Sequence, residues 1–267
     1  MKHEIVSERI DVVVDDDPEP SVMGAYLARP AAPGQYPGVL IGFEIFGVTA
    51  HIRDVTDRVA RLGYVAIAPD FYHRTAPGIE LAADPDGRGR GLELMQQLTR
   101  PDVLRDVRAA MTHLRDHAHS SARIGMVGFS LGGHIAYFAA THLDLAATAV
   151  FYGGWLPTRD ITLSQPDPTL TLTPGIATHD GRVLFLVGEQ DQLIPADHRQ
   201  QIAARLRAAG VRHEMVVYPA TPHGFFCDER DTFRQAAADN AWRRVRDLLA
   251  AELSPQSASR GKSSRVE

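Results

Sequence analysis

A serine between glycines, an aspartate and a histidine are the residues of this chain whose types and spacing suggest chemistry. Gly128-Phe129-Ser130-Leu131-Gly132-Gly133 satisfies G-x-S-x-G. The apolar run 124–129 before it and the apolar stretch after it predict the strand, turn and helix that the motif needs. A serine hydroxyl is a weak nucleophile until a base takes its proton, and the base needs an acid to fix its tautomer. Asp191 follows a predicted strand at 183–187, and His223 follows another at 214–218. The chain order is thus Ser, Asp, His, with each residue at the C-terminal end of a strand, where open α/β sheets place their ligands. Taken singly, each has a bland reading: a glycine-rich turn, a cap for the helix predicted from Pro195, a loop histidine. The three together, in order, favour nucleophilic catalysis.

The elements that must position them read as one α/β unit over residues 1–253. Residues 5–14 and 22–28 predict an opening hairpin around the polar turn Asp15 to Pro20. From Gly38 onward, apolar runs alternate with amphipathic helices, the pattern of a mostly parallel sheet covered on both faces. Strands are expected at 38–43, 64–68, 124–129, 147–152, 183–187 and 214–218. Helices are expected where Ile52, Val55, Val59 and Leu62, and then Val103, Val107, Met111 and Leu114, recur at helical spacing, and again over 195–209 and 233–249. The segment 153–182, rich in Thr, Pro and Asp, is too long for an ordinary connection and is expected to be an insertion or lid over the site. Residues 254–267 are polar and without periodicity, and are expected to be a disordered tail.

Composition narrows the function classes. The 267 residues are 44% hydrophobic and 23% charged, with 28 Lys and Arg against 33 Asp and Glu. A net charge of −5 offers no basic field, so neither nucleic acid nor an anionic membrane is an expected partner. No apolar run reaches the roughly 18 residues of a membrane span, and Glu4 and Glu8 interrupt any signal-like start, so a cytoplasmic protein is expected. A single cysteine, Cys227, excludes an internal disulfide framework and a cysteine-cluster zinc site. His113, His117 and His119 include an i, i+4 pair, read as a solvated face rather than a metal site. Trp155, Phe225, Phe226 and Tyr72 are candidates to line an apolar pocket.

These residues resemble the dienelactone hydrolase family over nearly the whole span 38–249. The blocks that match are Glu44-Ile45-Phe46-Gly47-Val48, Pro69-Asp70-Phe71-Tyr72-His73-Arg74 with Ala76-Pro77-Gly78, the Ser130 motif, Asp191, and His223-Gly224-Phe225. The resemblance implies a compact α/β-hydrolase and an oxyanion hole formed by the backbone N–H groups of Leu131 and Ile45. It also implies an arginine, Arg74, that holds a substrate carboxylate. The family's best-known members carry cysteine where this chain has Ser130, so a conventional serine mechanism is expected here. Four residues after the histidine, where the named enzyme has its second arginine, this chain has Cys227, and Arg230 is the candidate substitute, with a surface ion pair as its other reading. Glu44 matches a glutamate that contacts the nucleophile in the cysteine enzymes. Beside a serine its readings are pocket shape or water binding.

The expected function is hydrolysis of a small-molecule carboxylic ester or lactone through Ser130, His223 and Asp191, with no metal or organic cofactor. The alternatives are acyl transfer or peptide hydrolysis on the same residues, and a ligand-binding homologue without turnover. Monomer and homodimer are both left open.

Overall fold

In the computed structural model, which describes residues 3–15, 20–117 and 119–253, eight strands form one mixed sheet in the order β1-β2-β4-β3-β5-β6-β7-β8. The opening hairpin is β1 (Ile5–Val14) and β2 (Ser21–Pro30), paired from Ile5 opposite Pro30 to Val14 opposite Ser21. Its expected turn falls partly outside the described residues, as does the expected tail at 254–267. Next come β3 (Tyr36–Gly42), α1 (Ala50–Arg61) and β4 (Val65–Pro69), with β4 antiparallel to β2 and parallel to β3. Every residue of β4 is buried, which explains its unbroken apolar sequence: a strand covered on both faces has no solvent side to mark.

Two helices cross from β4 to the strand that bears the serine. α2 (Pro85–Met95) is absent from the sequence reading, because its three glycines and weak amphipathy hide the helical period. Its start is nevertheless signalled by Asp84, which accepts from the Gly87 amide at 2.8 Å, and by Pro85 in the first turn. α3 (Arg100–Asp116) is capped by Thr99, and it buries Val103, Val107, Met111 and Leu114 as the spacing predicts. It also buries Asp106, which apolar periodicity could not anticipate.

The second half is regular and parallel: β5 (Ser120–Phe129), α4 (Leu131–Ala140), β6 (Ala147–Phe151), β7 (Arg182–Gly188) and β8 (Arg212–Tyr218). Between β6 and β7 the long segment contains two short 3-10 turns and α5 (Pro174–Thr178). α6 (Ala196–Ala208) follows β7, and α7 (Gln235–Leu253) closes the fold. α4 is buried along its whole length, so its apolar sequence carries no moment to read. Helices lie on both faces of the sheet, and one apolar core runs from Val12 to Leu253.

Candidate active site

Ser130 occupies the turn between β5 and α4 with φ 51° and ψ −110°, a strained conformation for a residue with a Cβ. Close backbone contact holds it there. The Ser130 amide donates to Phe151 O at 2.9 Å, and the Gly132 amide donates to Phe43 O at 2.8 Å. A Cβ on Gly132 would collide with the backbone of Gly42 and Phe43, so glycine is required for α4 to approach the end of β3 this closely. That approach seats the first turn of α4, which begins at Leu131, against Phe43.

The acid and the base are joined by a second close approach. Gly188, at the end of β7, has no room for a Cβ against the Thr221 and Pro222 carbonyls. The Glu189 amide donates to Tyr218 O at 2.8 Å and the Gln190 amide to Thr221 O at 2.9 Å. The loops after β7 and β8 are thereby fastened together. His223 Nδ1 donates to Asp191 Oδ2 at 2.8 Å, which leaves Nε2 free to accept from Ser130 Oγ at 2.9 Å. Asp191 is buried and its other oxygen accepts from the Leu193 amide at 3.0 Å, while the His223 side chain keeps 23% of its surface. Ser130, His223 and Asp191 are thus in hydrogen-bonded line, the arrangement that nucleophilic catalysis asks of a nucleophile, a base and an orienting acid.

Beside this line lies a group of buried charges. Glu44, only 4% exposed, forms an ion pair with Arg230, whose guanidinium also covers the Phe46 ring at 4.6 Å. Burial pulls the Arg230 pKa down, the Glu44 carboxylate together with Tyr152 and Cys227 pushes it up, and the net shift is upward. Tyr152 is fully buried at φ 40°, with its ring edge against the His223 ring at 4.9 Å. Burial, and then the nearby Glu44 carboxylate, holds its phenol well above the ordinary tyrosine range. The same two causes push the Cys227 thiol up to about 11. Tyr152 was not singled out in the sequence. A tyrosine that ends a predicted strand and precedes Gly153-Gly154 was the available signal, since strand C-terminal ends face the ligand crevice.

The other expected pocket residues are placed differently. Arg74 is engaged by α3: its guanidinium reaches both oxygens of the fully buried Asp106, at 2.9 and 2.8 Å, and His73 Nε2 lies 3.1 Å from the same carboxylate. Phe225 is fully buried and packs among Tyr152, Tyr218 and Phe151. Trp155 is half-buried with φ 59°, and its carbonyl accepts from Ser164 Oγ. The 153–182 segment is pinned to the body of the domain. Arg100 donates to the carbonyls of Leu163 and Asp167, Gln96 to that of Asp160, and His134 bonds Gly154 O and Thr169 Oγ1. Among the described residues, no group of three or more His, Cys, Asp or Glu is placed to hold a metal, and no helix is long and apolar enough to cross a membrane.

The mixed eight-stranded sheet with helices on both faces is the α/β-hydrolase fold. The chain belongs to the dienelactone hydrolase family, whose model matches residues 23–253. It is 39% identical over 232 residues to a Synechocystis protein named "Putative carboxymethylenebutenolidase", covering 86% of this chain and 92% of that one. A Bradyrhizobium protein named "Probable 2-oxo-3-(5-oxofuran-2-ylidene)propanoate lactonase" is 31% identical over 219 residues, covering 82% and 85%. Among solved structures, the "Putative Dienelactone Hydrolase" of Klebsiella pneumoniae superposes with a TM-score of 0.81 at 31% identity, covering 93% of this chain and 99% of that one. The family makes the protein a hydrolase.

Proposed function

We propose that the protein hydrolyses small carboxylic esters or lactones through a serine acyl-enzyme. The observation that carries this reading is the hydrogen-bonded line Ser130 Oγ, His223 Nε2, His223 Nδ1, Asp191 Oδ2 at 2.9 and 2.8 Å. Ser130 Oγ attacks the carbonyl carbon as its proton passes to Nε2, and Asp191 keeps the imidazole in the right tautomer. The backbone amides of Leu131 and Ile45 stabilise the developing alkoxide more than the ground-state carbonyl. His223 then protonates the leaving oxygen, and water resolves the acyl-enzyme. The names of the relatives support a lactone as one form of substrate, since ring opening and ester cleavage are the same acyl transfer. Trp155 and the Arg230–Glu44 pair border the acyl group in this reading, and Arg74 braces the 70–80 loop against α3.

The test compares a short p-nitrophenyl ester with dienelactone, using wild type and Ser130→Ala side by side, together with labelling by a fluorophosphonate. Ser130-dependent turnover and stoichiometric labelling of Ser130 are expected. Activity retained by Ser130→Ala would overturn the serine mechanism. Turnover of the ester with little of the lactone would define a general esterase on this scaffold. Labelling without turnover of either would identify an activated serine with another substrate.

A further inference from the structure

The charged group behind His223 contains more polar atoms than it pairs. Glu44 spends one carboxylate oxygen on Arg230, while Oε1 is buried with no hydrogen-bond partner. The Tyr152 hydroxyl, in a residue 0% exposed, makes no hydrogen bond of normal geometry and has only a loose contact with the Glu44 carboxylate. Arg230 Nε is a third such atom. An unsatisfied buried polar group costs about 1–3 kcal/mol, so three in one cluster mark a place where a small polar molecule is bound. The phenol stays protonated, since burial and Glu44 both oppose its ionisation, and is therefore a hydrogen-bond donor. Glu44 Oε1 beside it is an acceptor.

The position of this cluster gives the bound molecule a role. Tyr152 borders the base, with its ring edge on the His223 imidazole. Glu44 directly precedes Ile45, whose amide belongs to the oxyanion hole in the reading above. In that reading an acyl group on Ser130 has its carbonyl at the Ile45 amide and faces the His223 imidazole. We infer that Tyr152, Glu44 and Arg230 form a buried water site that supplies and orients the water attacking the acyl-enzyme. The inference rests on the proposed serine mechanism and concerns its second half only. The water oxygen bonds to the acyl carbon as one of its protons passes to His223 Nε2. The bond from that carbon to Ser130 Oγ then breaks, Oγ takes the proton from Nε2, and the carboxylic acid leaves. Tyr152 and Glu44 are positioning residues here, since each acts through the water.

Pre-steady-state hydrolysis of p-nitrophenyl acetate separates the two halves: the burst reports acylation and the steady rate reports deacylation. Tyr152→Phe removes only the hydroxyl, and Glu44→Gln keeps the side-chain shape while removing the charge that pairs with Arg230. In each variant, deacylation is expected to slow at least about tenfold, and by at least about threefold more than acylation, because the attacking water loses its positioning. Glu44→Gln also unpairs Arg230, so it is the ratio of the two steps and not either rate alone that reads the water. The burst should approach stoichiometric, and the intact acyl-enzyme should appear in the mass spectrum. With methanol present, the share of methyl ester among the products should rise in Tyr152→Phe, a change that mere loosening of the fold does not produce. Equal slowing of both steps, or an unchanged ratio in both variants, overturns the inference. Absence of any Ser130-dependent acyl-enzyme in the wild type overturns the serine mechanism instead, so the two failures are told apart. Should Tyr152→Phe fail to fold, Glu44→Gln decides alone, since its ratio of rate constants either moves or does not.

Discussion

The two sides of Ser130 are built by different means. On one side the backbone does the positioning: β5 ends, α4 begins against β3 with no room for a Cβ at Gly132, and the loops after β7 and β8 are fastened at Gly188. On the other side buried side chains do it, with Glu44 and Arg230 brought together from opposite ends of the chain and Tyr152 between them and the base. Close-packed backbone has no neighbouring arrangement to relax into, whereas a side-chain cluster can lose one member and rearrange. Substitutions on the backbone side should therefore abolish function outright, and substitutions on the side-chain side should grade it.

The largest effect belongs to the nucleophile and its turn. Ser130→Ala should lower kcat by at least about a thousandfold with little change in thermal stability, since residual catalysis comes from the oxyanion hole and binding alone. Gly132→Val should also be inactive, but through loss of folded protein, because its side chain has no space against Gly42 and Phe43. Circular dichroism separates the two cases. A folded, active Gly132→Val would show that the approach of α4 to β3 is not what positions Ser130.

On the side-chain side, Arg230→Ala leaves the Glu44 carboxylate buried and unpaired. Breaking such a pair costs about 3–5 kcal/mol, read as a lower denaturation midpoint in urea. Arg230→Ala with Glu44→Gln should recover much of that loss, since no buried charge then lacks its partner. If the double variant is no more stable than Arg230→Ala, the ion pair is not the source of the effect.

The contrast also explains what was legible in the sequence. Ser130, Asp191 and His223 could be read because each follows a recognisable strand, and backbone geometry carries each to the same end of the sheet. The strands themselves could be read because burial on both faces leaves unbroken apolar runs, as in β4. Pairings between side chains left no such trace. Nothing in the local pattern of α3 marks Asp106 as the partner of Arg74, because a charge at that position breaks the apolar period instead of extending it. Arg230 reads either as a substitute for a missing arginine or as half of a surface ion pair, but its partner Glu44 lies far away in sequence with no periodicity linking the two. α2 illustrates the same limit in secondary structure: its cap at Asp84 and Pro85 was visible, but its three glycines concealed the helix that follows.

The segment between β6 and β7 allows a smaller test of how side chains hold this region. His134, fully buried on α4, ties it down through Gly154 O and Thr169 Oγ1. Burial lowers its pKa from 6.5 to about 4. The unfolded chain therefore takes up a proton at this position as the pH falls through 6.5, before the folded chain does. The stability it contributes is present above pH 6.5 and is lost as the pH falls towards 4, by about 3 kcal/mol in total. Urea titrations at pH 7 and pH 4.5 should show a smaller acid-induced loss in His134→Gln than in the wild type. An equal loss in both proteins would mean that His134 protonates as readily when folded as when unfolded.

The smallest expected effect concerns Cys227, and it separates this chain from the cysteine-dependent members its family resemblance brings to mind. The thiol is 2% exposed, and burial with the nearby Glu44 raises its pKa to about 11. A thiolate is the reactive form, and at pH 7.5 only about one molecule in a few thousand carries it, with little access for a reagent. Iodoacetamide at pH 7.5 should therefore leave ester hydrolysis within about twofold of the untreated rate, whereas a fluorophosphonate should abolish it. The two reagents divide the site along the line drawn above. Ser130, 5% exposed, stands on a strained turn within hydrogen-bond reach of His223, while Cys227 is enclosed beside a carboxylate that keeps it protonated. Stoichiometric alkylation of Cys227 with loss of activity would reverse that assignment, because it would require an exposed thiolate where the structure has a buried thiol.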